Sequence, residues 1–213
     1  MNLLIFGAPG SGKGTQSALL VDKKGYKQIS SGDLFRNAIK AQTPLGLEAK
    51  SFIDAGNLVP DILTINLIKE VLEKNQDKKF ILDGFPRNIK QAEALNDLLK
   101  GLNRTVGVAL FLEVSQDNLK SRLIGRRVCK NCGATYHVDS FPTKVAGKCD
   151  NCGGEVVQRP DDKEDVIAKR LDVYEVNTAP LKDFYKRMGL FKSIDGLGSQ
   201  EEIYKRIIQE LEK

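Results

Sequence analysis

The sequence predicts an α/β fold in which helices cover both faces of a parallel sheet. Two observations carry that reading. Five short apolar runs alternate with helical stretches along the chain, the pattern of strands buried on both faces. A glycine-rich segment also sits between the first run and the first helix, where an α/β fold holds phosphate. At 213 residues with 41% hydrophobic content, the chain can bury one such core and carry small insertions.

Residues 3–6 (Leu-Leu-Ile-Phe) read as the first buried strand, and residues 14 to 22 as the helix after it. Residues 26–29 form a second short strand, and Phe80, Ile81 and Leu82 a third. A fourth lies within residues 105–114 and a fifth at residues 190–194. Asp61 precedes the apolar pattern Ile62, Ile65, Leu67, Ile68, Val71 and Leu72, and marks a helix start. Ser199 and Glu202 have capping-box spacing ahead of the last helix. Two segments break the alternation. Residues 30–59 hold two helical stretches around the turn-like Thr43-Pro44, and residues 126–163 are rich in Gly and Cys with little helical periodicity. Both read as insertions, leaving a core of residues 1–29, 60–125 and 164–213.

The formal net charge is +5, which fits a binder of small polyanions whose arginines line one cleft. The first apolar run is too short for a signal peptide and leads straight into glycines. No stretch approaches membrane-span length. The expectation is a cytoplasmic protein that engages neither membrane nor nucleic acid.

The run Gly7-Ala8-Pro9-Gly10-Ser11-Gly12-Lys13-Gly14-Thr15 has the order strand, loop, lysine, helix. Its glycines let backbone N–H groups curl around an anion, and Lys13 reaches the outer phosphates. A strict P-loop places Ser or Thr directly after the lysine, whereas here Gly14 intervenes and the hydroxyl comes at Thr15. That moves the expected Mg²⁺ contact to Asp83, which ends the third apolar run, directly or through water.

Cys129 and Cys132, and Cys149 and Cys152, form two C-x-x-C pairs with 16 residues between them. Such spacing brings four thiolates to one tetrahedral centre suited to structural Zn²⁺, with no position left for substrate. Disulfides, or cysteines that bind nothing, are the alternatives, and a reducing compartment disfavours the first. The single histidine, His137, falls in the same segment and is assigned to packing there.

Asp83-Gly84-Phe85-Pro86-Arg87, together with the Gly-Lys-Gly-Thr ending of the glycine-rich loop, resembles the adenylate kinase family. So do Ser30-Ser31-Gly32-Asp33-Leu34-Phe35-Arg36, Gly125-Arg126-Arg127, Tyr136-His137, Arg159-Pro160-Asp161-Asp162 and Arg170, so the likeness spans essentially the whole chain. It implies a P-loop kinase core with a five-stranded parallel sheet. It also implies a helical monophosphate-binding segment at residues 30–59 and a zinc-ribbon-like lid at residues 126–163.

Carried over residue by residue, the resemblance implies that Gly10, Ser11, Gly12, Lys13, Gly14, Thr15, Arg122 and Arg126 hold ATP. Tyr136 joins the ATP-binding set, and backbone around Leu197 (residues 196–198) lies against the ATP base. Ser31 (where Thr is more usual), Arg36, Asn57, Leu58, Val59, Gly84, Phe85, Pro86, Arg87 and Gln91 hold AMP. Arg159 and Arg170 reach the transferring phosphoryl group and the AMP phosphate. Lys13, Arg87, Arg122, Arg126, Arg159 and Arg170 form the catalytic set. The implied reaction is reversible transfer between ATP and AMP to give two ADP, with Mg²⁺ on ATP, in a monomer. The AMP phosphate is largely dianionic at neutral pH and needs no general base, so positioning and charge neutralisation do the work. A glutamine amide at Gln91 complements adenine's amine and ring nitrogen, where related pyrimidine monophosphate kinases tend to carry Asn. A zinc-ribbon nucleic-acid binder and a GTPase switch are the rival readings. The first lacks a basic stripe with interleaved aromatics, and the second lacks an Asn-Lys-x-Asp stretch.

Overall fold

The computed structural model describes residues 1–75 and 78–212. Five parallel strands form the central sheet: β1 (Asn2–Phe6), β2 (Lys27–Ser30), β3 (Phe80–Asp83), β4 (Val106–Glu113) and, last in the chain, β8 (Phe191–Asp195). Their spatial order is β2-β3-β1-β4-β8. The five predicted strands are thus present and parallel.

Side chains alternate across this sheet, as a period of two requires. Leu4 and Phe6 face one way, into a core with Ile68, Leu72, Leu95, Phe111 and Tyr185. Leu3 and Ile5 face the other, against Leu20, Leu110, Ile203 and Ile207. The first layer is roofed by α4 (Asp61–Glu73), α5 (Ile89–Gly101) and α8 (Leu181–Arg187). The second is roofed by α1 (Lys13–Lys24) and α9 (Gln200–Leu211). Leu3, Leu4, Leu20 and Ile81 are fully buried, each contributing about 1.5–3 kcal/mol by leaving water. Phe6 stacks on its register partner Phe111 with centroids 4.4 Å apart, which fixes β1 against β4 directly below the glycine-rich loop.

Helix ends follow the sequence signals with one exception. Ser199 and Glu202 make the reciprocal capping box, and replacing Ser199 by Ala is expected to cost about 1 kcal/mol. Asp61, in contrast, lies inside the first turn of α4, with Pro60 at the N-cap and no side-chain cap. Its carboxylate is engaged by Asn88 and Gln91 instead.

The first insertion holds α2 (Ser31–Lys40) and α3 (Pro44–Asp54), with Thr43 capping α3 through Gly46 N–H at 3.1 Å. The two helices touch closely at Gly46, where an added Cβ would lie 2.2 Å from the Ala38 carbonyl oxygen. Because that obstacle is backbone, Gly46→Ala is expected to lose about 1–3 kcal/mol of stability, seen as a lower denaturant midpoint.

The second insertion follows α6 (Gln116–Ile124). Its strands β5 (Arg126–Cys129), β6 (Thr135–His137) and β7 (Val156–Val157) make an antiparallel sheet of their own. The chain returns through a 3₁₀ turn at Pro160–Asp162 into α7 (Glu164–Val173), then a π-helical turn at Tyr174–Thr178. Among the described residues, no helix is long and apolar enough to cross a membrane.

Candidate active site

A cleft of about 1520 Å³ runs between the two insertions, floored by the C-terminal edge of the sheet. It joins the glycine-rich loop, Asp83, Arg36 and Leu58 of the first insertion, and Arg126 and Tyr136 of the second.

The loop after β1 turns on Gly7, Gly10 and Gly12, all at positive φ, conformations that glycine adopts at no steric cost. Gly12 is the N-cap of α1 and offers no side-chain cap, so the first N–H groups of that helix point at an anion site. Lys13 Nζ donates to the Gly7 and Ala8 carbonyls at 2.6 and 3.1 Å. Burial of its ammonium holds the pKa down at about 8, with Asp83 opposing and Arg87, Arg170 and Arg126 reinforcing the shift. Ser11 is buried, and its Oγ has no hydrogen-bond partner. Thr15 lines the cleft.

Asp83 ends β3 beneath this loop, 8% exposed. Burial raises its carboxyl against the pull of Lys13, and Gln28 Nε2 approaches Oδ2 at 3.3 Å. An added Cβ on Gly14 would lie 3.8 Å from that same oxygen. A small residue after Lys13 therefore keeps the space beside the carboxylate open, which fits a hydrated divalent ion.

Guanidinium groups dominate the opposite wall. Arg126 makes a two-pronged bridge to Asp162, Nε to Oδ2 at 2.7 Å and Nη2 to Oδ1 at 2.5 Å. Arg170 reaches the same Oδ1 at 2.8 Å and Asp161 Oδ2 at 3.2 Å. Such forks fix orientation as well as charge. Arg36 pairs with Asp33 at 2.5 Å, and Arg122 donates to the Gly196 carbonyl at 3.0 Å. Arg87 Nε donates to the Gly84 carbonyl at 2.8 Å. Arg159 lines the cleft with its Nε buried and without a partner. Burial lowers the pKa of Arg87, Arg159 and Arg170, and neighbouring arginines add to the effect in each. Because guanidinium resists deprotonation, the wall keeps an excess of positive charge over the aspartates paired with it, which suits a polyanion.

Not every sequence-named residue faces the cleft. Arg36, Leu58, Gly84, Pro86 and Arg87 line it. Ser31 is buried and gives its hydroxyl to the Gly84 carbonyl at 2.6 Å. Phe85 belongs to the core and Val59 packs with Phe35, while Asn57 is exposed. Leu197 is 41% exposed beside Gly196, where Arg122 anchors. Tyr136 lines the cleft, with its hydroxyl 3.3 Å from Cys149 Sγ. Gln91 is 1% exposed, accepting from Arg87 N–H and donating to Asp61.

Sequence reading placed Asp161, Asp162 and Asp33 within its motifs but gave no role to the first two, the carboxylates that orient Arg126 and Arg170, nor to Asp33 beside Arg36. It also missed Thr178, whose hydroxyl donates to the Arg87 carbonyl at 2.8 Å from the π-helical turn. The available signal for the two aspartates was their place in the run Arg159-Pro160-Asp161-Asp162.

In the second insertion the four cysteines are free thiols whose sulfurs all lie within 4.8 Å of one another. The pairs Cys129–Cys152 and Cys132–Cys149 stand 3.5 Å apart, close to the roughly 3.8 Å edge of a tetrahedron built on 2.3 Å Zn–S bonds. The two knuckles are copies of one hydrogen-bonded turn. Cys129 N–H donates to Ala134 O and Gly133 N–H returns to Cys129 O. Cys149 N–H likewise donates to Gly154 O, and Gly153 N–H returns to Cys149 O. The donor set and its spacing fit zinc. His137 stays outside the cluster, its Nδ1 accepting from the Asp139 and Ser140 N–H groups.

The family model for adenylate kinase matches residues 5–190. The chain is 54% identical over 214 residues to an adenylate kinase of Thermodesulfovibrio yellowstonii, with both chains fully covered. It is 51% identical to one of Carboxydothermus hydrogenoformans, again over the whole of both chains. A Geobacter sp. (strain M21) adenylate kinase is 50% identical over 95% of each. With a phosphate loop, an acidic strand end and a wall of arginines facing one cleft, the chain belongs to the adenylate kinase family.

Proposed function

We propose that this chain moves the terminal phosphoryl group of ATP reversibly onto AMP, giving two ADP. The observation that carries the reading is the single cleft in which the glycine-rich loop faces the arginine wall, with one insertion on each side. An AMP phosphate oxygen forms its bond to the γ-phosphorus while the bond from that phosphorus to the β,γ-bridging oxygen breaks, and ADP leaves. The acceptor phosphate is already anionic, so no side chain has to remove a proton. Consistently, the only histidine is tied into a turn of the second insertion.

Lys13 and the N–H groups of residues 10–15 hold the ATP phosphates, with Arg122 and Arg126 closing from the lid side. Leu197 lies against the ATP base, and Tyr136 belongs to the ATP site. Arg36, Arg87, Arg159 and Arg170 neutralise the AMP phosphate and the moving group, where fixed charges that need no reorganisation lower the barrier most. Ser31 supports the AMP phosphate site through Gly84; Asn57, Leu58, Val59, Phe85 and Pro86 shape the AMP pocket. Gln91 reads the base. Asp83 would hold the Mg²⁺ that comes with ATP, through water, since its carboxylate lies beneath the loop. Bound Mg²⁺ neutralises phosphate charge. Zn²⁺ at the four thiolates is structural.

The lid already approaches the first insertion, with Lys40 Nζ 3.2 Å from the Lys130 carbonyl. Water competes with AMP for the phosphoryl group, so closure precedes transfer and reopening limits turnover. The enzyme acts as a cytoplasmic monomer without nucleic acid or membrane partners, a compartment that suits four reduced thiols.

Acceptor choice tests the reading. With ATP and Mg²⁺, AMP is expected to outperform UMP, CMP and GMP, and preference for a pyrimidine would sink it. The pH dependence follows from Lys13. Its folded pKa, about 8, lies below the ordinary 10.5, so the folded chain binds fewer protons than the unfolded one between these values. The penalty for burying the charge is therefore full below pH 8 and is relieved as pH rises toward 10.5. Triphosphate binding runs the other way, because it needs the ammonium. Affinity of the free enzyme for ATP is expected to weaken as pH rises through about 8, and Lys13→Met should abolish that limb in a calorimetric titration.

A further inference from the structure

We infer that Asp61 is a positioning residue for acceptor specificity: it locks the Gln91 amide in the one orientation that reads a 6-amino purine and refuses a 6-oxo purine. The inference rests on the reading that Gln91 meets the AMP base.

A glutamine amide has an oxygen end that only accepts and a nitrogen end that only donates, and a half-turn exchanges them. At Gln91 both ends are tied by partners that cannot change sign. The Arg87 backbone N–H, a donor only, reaches Oε1 at 2.8 Å. Asp61 Oδ1, a carboxylate acceptor, takes Nε2 at 2.7 Å. The same Oδ1 accepts from Asn88 Nδ2 at 2.9 Å, and Asn88 Oδ1 in turn accepts from Gln91 N–H at 2.9 Å as the cap of α5. A flipped amide would set N–H against N–H at Arg87 and oxygen against oxygen at Asp61. With Gln91 1% exposed, its flipped amide would have little water to turn to, and buried unmet polar groups are costly.

Two bonds to protein leave the amide one N–H and one lone pair. In the locked orientation these complement an unprotonated ring nitrogen beside an exocyclic amine, the edge of adenine. Inosine monophosphate has nearly the same shape but presents a ring N–H beside a carbonyl, which only the flipped amide could read. The Arg87 N–H belongs to the chain itself, so the carboxylate is the half of the lock that a side-chain change can release. Asn in its place has its own donor end, which can turn toward a flipped Oε1.

The test compares kcat/KM for AMP and for inosine monophosphate in the full-length enzyme. Asp61→Asn is expected to lower the AMP-to-inosine-monophosphate ratio by about tenfold, the worth of roughly one hydrogen bond, while KM for ATP stays unchanged. Asp61→Ser removes the carboxylate but keeps a residue suited to a helix start, so it gives the same readout should the first variant fold poorly. Gln91→Ala should lower the ratio as well, and adding Asp61→Asn to it should cause no further change. If Gln91→Ala lowers the ratio while both Asp61 variants leave it within twofold, the lock is wrong and the reading of Gln91 stands. If Gln91→Ala leaves the ratio intact, the base-reading role falls and the lock with it. A further drop from Asp61→Asn in the Gln91→Ala background also overturns the proposal, since Asp61 would then act by another route.

Discussion

Arg87→Ala is expected to lower kcat by about 10²–10³-fold, the usual cost of removing a preorganised donor from developing charge, while the protein remains folded. The residue is held on three sides. Its N–H donates to Gln91, its carbonyl accepts from Thr178, and its Nε donates to Gly84 O. Those contacts aim a guanidinium that already feels the charge of Arg170 and Arg36. In the unliganded chain this repulsion opposes folding, so truncation is not expected to lower the melting temperature appreciably. Arg87→Lys should recover only part of the rate, because an ammonium lacks the planar fork. Near-normal turnover in the alanine variant would refute the assigned role. Thr178→Val, which removes only the support of the Arg87 carbonyl, should show a smaller loss confined to kcat.

Removal of zinc is expected to give the largest structural effect. The second insertion has a small core of its own: Cys129, Tyr136 and Cys149, with Ala134 and Val156 packed against them. Two of its buried residues are themselves metal-ligand candidates. Structural Zn²⁺ contributes an apparent folding free energy of about 10–16 kcal/mol in zinc-finger peptides at about pH 7, far more than these few side chains can supply. Metal analysis of the reduced protein should give about one Zn²⁺ per chain. Chelation should unfold residues of the lid while the central sheet persists, lowering kcat/KM for ATP at least about tenfold through lost closure. Cys149→Ser should do the same. Zinc-free protein with an unchanged melting curve and ATP dependence would contradict this account of the lid, though not the assignment of the phosphate loop.

Much of the architecture was legible because it obeys local rules. Alternating apolar side chains in Leu3, Leu4, Ile5 and Phe6 mark a strand covered on both faces. The Ser199–Glu202 spacing marks a helix start that the structure shows as a capping box. The cysteine spacing likewise anticipates sulfurs that converge within 4.8 Å. Contacts between distant segments were not legible. Asp61 read as a cap because apolar periodicity begins just after it, yet its carboxylate serves Gln91, 30 residues away. Asp162 belongs to a run that carries the family resemblance but has no role in the sequence reading, and only folding brings it 36 residues back to Arg126. The resemblance assigns Tyr136 to ATP; the fold adds that its hydroxyl meets the cysteine cluster and accepts from Asp150 N–H at 2.9 Å. In each case the sequence supplies the chemical group, and the fold decides which group it meets.

The central claim is that one cleft brings ATP and AMP together for direct transfer. Phosphorus NMR of the purified protein with ATP, AMP and Mg²⁺ tests it most directly, followed in both directions. The account predicts two ADP formed for each ATP and AMP consumed, the same equilibrium mixture approached from ADP alone, and no inorganic phosphate beyond background. Release of inorganic phosphate from ATP at a rate independent of AMP would contradict it.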